Sequence, residues 1–334
     1  MGREALLLDE TEIRRLLDAA SCIRAVEEAF TACATGRART PGVIHLDVPE
    51  SRGEIHVKAG HLSGGAHYAV KIASAFPGNP ALGLPANDGI VLAFDARTGA
   101  PAAILVDNGF ITDLRTGAAG AIAARHLSRP ESRIVAVIGC GVQARVQIEC
   151  LALVRPFAEV RVYGRRAERA RACAEEMAAR PDRPPGSRFV AVATARAAVE
   201  GADIVVTVTS SRAPIVRADW LAPGTHVTAV GSDAPDKNEL EPGVLARAEP
   251  LVADSLPQCR RLGEIHHALA AGAIGEERVA AELGEITAGL KPGRLSADAV
   301  TVCDLTGLGA QDVAAAALVI ERARAAGAGR RIAL

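Results

Sequence analysis

The stretch RIVAVIGCGVQARVQ, residues 133–147, constrains the fold of this chain more than any other feature. Its aliphatic residues at 134–138 are typical of a buried strand, and an amphipathic helix is predicted to follow Gly141. Gly139 permits a tight turn, Gly141 lets the backbone approach a ligand, and Ala144 allows close helix–strand contact. The pattern predicts a dinucleotide-binding turn in which a pyrophosphate meets free N–H groups of the helix. A plain strand–turn–helix connection is the alternative.

The end of the next predicted strand, VRVY, bears on which dinucleotide would bind. An Asp or Glu at this position would bind a ribose 2′-hydroxyl, but the chain has Gly164, Arg165 and Arg166. The sequence thus predicts a nicotinamide cofactor, NAD(P)(H). Arginines at this position can accommodate a 2′-phosphate, so NADP(H) is favoured over NAD(H). Alternatively, both arginines only cover the helix that follows.

The composition argues against several classes of partner. The chain has 38 basic and 39 acidic residues, and only 3% of its residues are aromatic. Neither a polyanion-binding surface nor a stacking platform for nucleic-acid bases is therefore expected. No run of about 18 uninterrupted apolar residues occurs, so we expect no membrane span and predict a cytoplasmic protein.

The spacing of cysteines and histidines predicts neither a disulfide framework nor a metal site. The seven cysteines are scattered, contain no CxxC pair and are odd in number. Metalloprotease spacing is absent among the six histidines at positions 45, 56, 61, 67, 266 and 267. We expect ordinary surface and core histidines.

The first part of the chain reads as a helix followed by a sheet. Asp9 and Glu12 predict a capping box for a helix that extends over 13–30. Short β-rich runs separated by Gly and Pro turns predict an antiparallel sheet over 43–105. A helix rich in small residues is predicted at 114–127, where it could pack closely on a neighbour.

Beyond the junction SRPES, the chain alternates between strands and helices. Short aliphatic runs occur at 134–138, 160–163, 189–192, 204–208, 226–230 and 250–253. This rhythm predicts an α/β fold with a doubly wound parallel (Rossmann) sheet. We predict a dinucleotide-binding domain at 128–306 and a smaller α+β domain formed by 1–127 with 307–334.

Several polar residues in apolar surroundings are candidates for chemistry. Lys58 and Lys71 lie in β-patterns, where either could also be an ordinary edge or solvent-face residue. Arg115 begins a predicted helix, where the helix dipole favours an acid, so its position suggests an anion to bind. That anion would be a substrate carboxylate or, beside Thr116, a cofactor phosphate. Asp233 directly follows an apolar strand, at the edge where open α/β sheets place ligands.

Four segments together resemble the ornithine cyclodeaminase/mu-crystallin family: VKIASAFPGNP, DNGFITDLRTGAAGAIAA, VIGCGVQA and AVGSDAPDKNELEP. The resemblance covers nearly the full length of the chain. It implies a two-domain enzyme of amino-acid metabolism in which one domain binds the dinucleotide. The other domain mediates dimerisation, so a homodimer is expected.

The resemblance also implies roles for individual residues. Lys71 is similar to the family's active-site lysine, and Asp233 to its catalytic acid or base. Arg115 is similar to the carboxylate-binding arginine, with Thr116 beside the cofactor phosphates. The positions that match the cofactor side of the family's site are Arg115, Thr116, Gly139, Gly141, Val142, Gln143, Ala144, Gly164, Arg165, Arg166, Thr209, Val230, Gly231, Ser232 and Leu305.

One departure from the family affects the substrate. Relatives that act on basic amino acids often carry an arginine shortly after the proline that ends the first helix. Here Val43 and Ile44 follow Pro41, and Lys58 is the nearest replacement as a substrate-binding cation. The sequence therefore does not determine which amino or imino acid is the substrate.

Two enzymatic functions fit these residues. The first is an NAD(P)H-dependent reductase that converts an α-imino acid to an L-amino acid, or runs in reverse as an amino-acid dehydrogenase. The second is a cyclodeaminase that converts a diamino acid to a cyclic imino acid and ammonia with catalytic NAD. Both need a carboxylate clamp and a proton relay, so the motifs do not separate them. A non-enzymatic binding protein of the mu-crystallin kind is disfavoured because Asp233 is present.

Overall fold

The structure is a computed structural model that describes residues 4–334. In chain order, the elements up to Leu127 are β1 (Glu4–Asp9), α1 (Glu10–Leu16), α2 (Ala19–Ala34), β2 (Ala38–Arg39), β3 (Ile44–Val48), β4 (Gly53–Leu62), β5 (His67–Ala75), β6 (Asn87–Asp95), β7 (Pro101–Val106) and α3 (Phe110–Leu127). The elements that follow are β8 (Ile134–Ile138), α4 (Val142–Ala152), β9 (Glu159–Tyr163), α5 (Ala167–Ala179), β10 (Arg188–Ala191), α6 (Ala195–Val199), β11 (Ile204–Thr207), β12 (Arg212–Val216), β13 (His226–Ala229), β14 (Asn238–Leu240), α7 (Pro242–Ala246), β15 (Leu251–Ala253), α8 (Leu256–Cys259), α9 (Gly263–Ala270), β16 (Val279–Glu282), α10 (Leu283–Thr287), β17 (Thr301–Asp304), α11 (Gly309–Ala326) and β18 (Arg330–Ala333).

The chain forms two compact units. The first consists of the residues up to Arg115 together with Leu308–Leu334, and the second is Thr116–Gly307. The division falls within α3, so the first turns of this helix belong to the first unit. The domain boundary expected from the sequence lies at the end of the same helix and stays a prediction.

The N-terminal residues form two helices, so the prediction of a single helix over 13–30 is wrong. The capping box is confirmed, because Glu12 N donates to Asp9 Oδ1 at 2.9 Å and Asp9 N donates to Glu12 Oε2 at 3.1 Å. Leu17 then adopts an extended conformation, which ends α1. Asp18 caps α2 by accepting from Ser21 N at 2.9 Å. An Asp within the apolar pattern is thus a second helix start.

A mixed sheet forms the centre of the first unit. Its strand order is β18-β1-β7-β6-β5-β4-β2, with β3 paired to β4. The predicted antiparallel sheet is confirmed for β3 to β7. The sheet becomes mixed because β1 pairs in parallel with β7. A parallel pair needs a long connection, and the chain between β1 and β7 supplies one.

The two faces of this sheet differ in burial. On one face, called the covered face, Lys71 and Val91 are buried and α11 packs against β4 and β5. The approach is close, since a Cβ on Gly60 would lie 3.1 Å from the Gly309 carbonyl carbon. Strand alternation places Ile72 on the opposite face, called the open face, where it is 37% exposed.

The second unit contains the doubly wound sheet that the sequence predicts. Eight parallel strands are arranged in the order β10-β9-β8-β11-β13-β17-β15-β16. The six predicted runs match observed strands to within a residue at most ends, and β16 and β17 are additional. The strand order reverses between β8 and β11, which is where this class of sheet binds its ligand.

The helices α3 and α4 pack closely within the second unit, as the small residues of α3 predict. A Cβ on Gly117 would lie 2.9 Å from the Val146 carbonyl oxygen, and one on Gly120 would overlap the Gln147 side chain. Gln147 Nε2 also donates to the Thr116 carbonyl oxygen at 3.0 Å. These contacts fix α3 beside the glycine turn that precedes α4.

Among residues 4–334, none of the helices combines the length and the apolar composition that crossing a membrane requires.

Candidate functional site

The glycine turn after β8 needs glycine for conformational reasons. Gly139 has φ +129°, a region that L side chains rarely adopt, and its N–H donates to the Tyr163 carbonyl oxygen at 2.8 Å. A Cβ on Gly139 would also lie 2.8 Å from the Val208 carbonyl oxygen. The turn is therefore bound tightly to the two neighbouring strands.

Gly141 has a different role, because its backbone conformation is ordinary and the space beside it is open. It is the N-cap of α4, with φ −87°, and a Cβ there would meet no atom within 4 Å. No side chain caps α4, and Val142 and Gln143 are its first residues. Ala144 is fully buried in the core beneath the helix. Unfilled space before uncapped N–H groups fits a pyrophosphate.

The residues after β9 lie beside this turn. A Cβ on Gly164 would lie 2.5 Å from Cys140 Sγ, so the end of β9 and the turn are in close contact. Arg165 and Arg166 are exposed, and neither guanidinium group forms a hydrogen bond or ion pair with another described residue. Both guanidinium groups are thus available to a ligand at the end of β9.

The other predicted cofactor residues gather at the carboxyl ends of the central strands. Thr209 follows β11, Val230 follows β13 and Leu305 follows β17. Backbone hydrogen bonds connect these ends, from Val230 N to the Thr207 carbonyl at 3.0 Å and from Leu305 N to the Ala229 carbonyl at 2.9 Å. The structure thus places these segments along one edge of the second unit's sheet.

Glu239 joins two of these segments, a role that sequence reasoning missed. Its carboxylate accepts from Thr209 N at 2.6 Å and from Gly231 N at 2.9 Å. Burial raises the pKa of Glu239 to about 7, although these hydrogen bonds oppose the increase. The signal available in the sequence was an acid in the polar segment AVGSDAPDKNEL, six residues after Asp233. Nothing local showed which backbone groups it would bind.

Asp233 lies in the loop that follows β13, in the second unit. Its side chain is 48% exposed, and Oδ1 lies 2.8 Å from Lys237 Nζ. The Ser232 hydroxyl donates to the Lys237 carbonyl oxygen, which closes the loop. The loop thus presents a carboxylate that is both accessible to solvent and paired with a cation.

A second group of polar residues lies on the covered face of the first unit. We call it the Lys71 cluster, and its members are Lys58, Lys71, Arg115, Gln311 and Asp312. All five side chains are buried, and Lys58 and Lys71 are cross-strand neighbours. Asp312 Oδ1 lies 3.1 Å from Lys71 Nζ and 3.0 Å from Arg115 Nε. Arg115 Nη1 donates to Gln311 Oε1 at 3.1 Å.

Charge in the Lys71 cluster is unbalanced, because its three cationic side chains face one carboxylate. The buried Asp107, which also interacts with Lys71, adds a second carboxylate nearby and leaves one cation in excess. Burial lowers the pKa of Lys71 to about 7, with further lowering by Arg115 and partial compensation by Asp312. Although burial opposes it, the cations of Lys71 and Arg115 hold the pKa of Asp312 below its usual value. The cluster can therefore bind an anion and exchange a proton near neutral pH.

Two buried polar atoms of the Lys71 cluster lack a partner. Gln311 Nε2 and Asp312 Oδ2 form no hydrogen bond with any described residue. Unpartnered buried polar atoms are costly, so their presence beside excess positive charge is consistent with a polar ligand. Gln311 was not singled out from the sequence, and Asp312 was a candidate there only as a polar residue of the segment DLTGLGAQD, without an assigned role. Their signal was a polar pair at the start of an Ala-rich helix.

The structure corrects the argument that led to Arg115. The helix starts at Phe110, so Arg115 lies in its second turn and is not at its beginning. Asp107, which accepts from Ile111 N at 2.8 Å, is the residue that stabilises the helix start. The prediction that Arg115 begins a helix is therefore wrong, and the helix dipole does not account for its position. What orients its side chain is the pair of polar residues Gln311 and Asp312.

Comparison with known proteins shows full-length similarity to one group. The family model described as Ornithine cyclodeaminase/mu-crystallin family matches residues 3–327. The chain is 48% identical to a putative dehydrogenase of Rhizobium meliloti, with 97% of each chain covered. It is 38% identical to alanine dehydrogenase of Archaeoglobus fulgidus, with 98% of each chain covered.

Solved structures of the same family resemble this chain over nearly its full length. An archaeal alanine dehydrogenase dimer with bound NAD has a TM-score of 0.91 and 37% identity, with 99% of each chain covered. Thermococcus litoralis Δ1-pyrroline-2-carboxylate reductase, in complex with NADH and L-proline, has a TM-score of 0.92 and 34% identity over 98% of this chain and 100% of that one. A lysine cyclodeaminase has a TM-score of 0.86 and 28% identity over 99% of this chain and 96% of that one.

Proposed function

The chain belongs to the ornithine cyclodeaminase/mu-crystallin family, and we propose that it is a nicotinamide-dependent reductase that converts an α-imino acid to an L-amino acid, reversibly. The Lys71 cluster carries the proposal, because it combines a buried excess of positive charge with a lysine that titrates near neutrality. Among the relatives with solved structures, alanine dehydrogenase and pyrroline-2-carboxylate reductase, at 37% and 34% identity, are more similar to this chain than lysine cyclodeaminase, at 28%, which favours a reductase. An uncharacterized cyclodeaminase of Sinorhizobium fredii is 45% identical over 97% of each chain, so a cyclodeaminase is the second candidate.

The substrate carboxylate binds to Arg115 and Lys58 in this proposal. Arg115 already donates to Asp312 through Nε and to Gln311 through Nη1, which fixes the orientation of its guanidinium group. The remaining N–H groups of a guanidinium can form charge-assisted hydrogen bonds with a second carboxylate. Lys58 lies directly opposite Lys71 on the neighbouring strand and adds a further cation.

Reduction of an imine requires one proton at the nitrogen, and we assign its transfer to Lys71 and Asp233. Lys71 has a pKa of about 7, so its ammonium and amine forms are both populated near neutral pH. Asp233 is solvent-accessible, and its carboxylate is paired with Lys237. When bound, a nicotinamide dinucleotide supplies the hydride exchanged with the α-carbon.

The dinucleotide is assigned to the second unit. Its pyrophosphate would be held by the N–H groups that follow Gly141, and its ribose by the residues after β9. Arg165 and Arg166, and the absence of an acid at their positions, support NADP(H). The alanine dehydrogenase and pyrroline-2-carboxylate reductase structures contain NAD and NADH, respectively. A preference for NADP(H) would therefore distinguish this chain from those two relatives.

The roles of Arg115 and Asp233 are tested together by steady-state kinetics. We expect Arg115→Ala to raise KM for carboxylated substrates, because it removes binding shared by the ground and transition states. Asp233→Asn should lower kcat by about 10²- to 10⁴-fold with cofactor affinity unchanged. Arg15→Ala, at an exposed position of the first unit, is the matched control and should change neither constant. An Asp233→Asn enzyme that keeps more than about half of its kcat would exclude the acid–base role.

Cofactor stoichiometry distinguishes the two reactions. A reductase consumes one NAD(P)H per amino acid formed, and its reverse reaction reduces one NAD(P)⁺ per amino acid consumed. A cyclodeaminase releases ammonia from a diamino acid with only catalytic NAD. Measuring absorbance of the reduced cofactor together with free ammonia, on imino acids and on diamino acids, therefore decides between them. Ammonia release without net cofactor change would replace the reductase proposal.

A further inference from the structure

The hairpin formed by β3 and β4 brings two histidines and two carboxylates together. His45 pairs directly with His56, and Asp47 pairs directly with Glu54. Because side chains alternate along a strand, all four residues lie on the same face of the sheet. The spacing of histidines along the chain predicted no metal site, but strand pairing makes His45 and His56 neighbours.

The side chains are close enough to act together. The two imidazole rings have their centroids 4.6 Å apart at an interplanar angle of 89°. His56 Nε2 lies 3.6 Å from Glu54 Oε2, and His45 Nε2 lies 2.9 Å from Asp47 Oδ1. One potential ligand atom from each of His45, Glu54 and His56 lies within 4.8 Å of the other two.

We propose that His45, Glu54 and His56 bind a divalent cation of the zinc class. Two imidazole nitrogens and one carboxylate form a ligand set that suits Zn²⁺, with a fourth position left for water. Tetrahedral coordination with bonds of about 2.0–2.1 Å places ligand atoms about 3.4 Å apart. Small rotations of these side chains would bring the ligand atoms from their present separation to that distance.

Asp47 has a supporting role in this site. A histidine ligand usually donates its second ring N–H to a carboxylate, which sets the tautomer and the orientation of the ring. Asp47 Oδ1 already lies at hydrogen-bond distance from His45. The two carboxylates also offset the charge of the cation. The site lies on the covered face beside the Lys71 cluster, because His56 and Lys58 are two residues apart on β4. None of its three ligands is a member of that cluster, and the proposal does not rest on the proposed reductase activity.

Calorimetric titration with ZnCl₂ tests the site, using tag-free protein that has been stripped with a chelator. We expect one Zn²⁺ per chain in the wild type and a loss of affinity of at least about 100-fold in His45→Gln and His56→Gln. Asp47→Asn should weaken binding by about 10- to 100-fold, because it removes only the orienting carboxylate. With Co²⁺ in place of Zn²⁺, the visible absorption of a tetrahedral complex should appear in the wild type and be lost in His45→Gln and His56→Gln.

The control variant is His61→Gln, because His61 lies on β4 but on the opposite face of the sheet. It should bind Zn²⁺ like the wild type. His266 and His267 form another close pair, with centroids 5.1 Å apart, and would account for binding elsewhere. Absence of Zn²⁺ binding in the wild type, or equal binding by a His45→Gln/His56→Gln double variant, would overturn the proposal. Zn²⁺ should also raise the melting temperature of the wild type but not that of Glu54→Gln. This conservative substitution tests whether the Glu54 carboxylate is a ligand.

Discussion

At the scale of single residues, the chemistry of this protein depends on how side chains are buried. Lys71 and Asp312 are both only 2% exposed, and they form an ion pair on the covered face. A buried ion pair is weak evidence for stability, because the cost of desolvation can exceed the attraction. Here the cations outnumber the carboxylates, and the lysine can lose its proton near neutral pH. We infer that these charged residues serve the reaction and not the stability of the fold.

The pH dependence of the reaction should follow Lys71. Burial lowers its pKa from 10.5 to about 7, so the ammonium form predominates below pH 7 and the amine above. Imine reduction needs the ammonium as proton donor, so its kcat/KM should fall as the pH rises through about 7. Amine oxidation needs the amine as base, so its kcat/KM should rise over the same range.

Replacement of Lys71 by arginine provides the check on this pH dependence. Arginine keeps the positive charge but does not deprotonate, so Lys71→Arg should lose the titration in both directions. Lys291→Arg, a surface lysine paired with Glu285, is the control and should keep it. If kcat/KM of Lys71→Arg still changes with pH near 7, the titration belongs to another group.

At the scale of elements, the β8–α4 connection shows two glycines that are required for different reasons. Gly139 is required by the backbone, since its φ is positive and Val208 leaves no room for a Cβ. Gly141 is not required by the backbone, because its conformation is ordinary and the adjacent space is open. The fold therefore does not require glycine at position 141. A ligand that approaches the backbone closely would explain why glycine is present there.

Substitution should separate these two requirements. We expect Gly141→Val to keep the melting temperature of the wild type and to lose dinucleotide binding, because only the ligand would meet the new side chain. Gly139→Val should instead destabilise the chain. Thermal unfolding and calorimetric titration with NADH and NADPH measure both effects. Unchanged affinity in a folded Gly141→Val chain would show that this turn does not hold the pyrophosphate.

The end of β9 should determine which dinucleotide is preferred. Removing a guanidinium that contacts a 2′-phosphate costs about 1.5–3 kcal/mol, so Arg165→Ala should weaken NADPH binding by about 10- to 150-fold. NADH binding should change much less. Arg169→Ala, an exposed arginine of α5, is the control. Equal losses for the two cofactors, or a wild type that prefers NADH, would leave the arginines as surface residues.

At the scale of the whole molecule, the open face of the first unit's sheet is unusually apolar for a surface. Its exposed large hydrophobic residues are Ile44, Leu46, Ile72 and Val106, each at least 37% exposed. Large exposed apolar patches commonly mark protein interfaces. The archaeal alanine dehydrogenase relative is a dimer. We therefore propose that a second copy of this chain covers the open face and forms a homodimer.

A charge on the open face should disrupt this dimer. Ile72→Glu places a carboxylate among apolar side chains, so we expect a monomer, or a strongly concentration-dependent mixture, by light scattering after size-exclusion chromatography. Leu153→Glu changes a residue that is also exposed, at 53%, but lies in the second unit. This control should elute like the wild type. A dimeric Ile72→Glu chain would place the interface elsewhere.

The sequence by itself determined the features that depend on neighbouring residues. The capping box at Asp9, the glycine turn at Gly139 and six strands of the parallel sheet were all predicted from local patterns. Such patterns are informative because capping, turn conformation and alternating burial are decided within a few residues. The same locality explains the missed break at Asp18, where a polar residue in an apolar pattern could be a solvent-facing position or a new cap.

Only the tertiary structure decided which distant residues act together. Asp312 binds Arg115 across 197 positions of the chain, and Glu239 joins backbone groups from two loops. His45 meets His56 only because β3 pairs with β4 in one particular register. No local pattern encodes these contacts, because they arise when separate elements bury their apolar faces against each other. The same burial shifts the pKa of Lys71, since desolvation depends on everything that surrounds a charge and not on its neighbours in sequence.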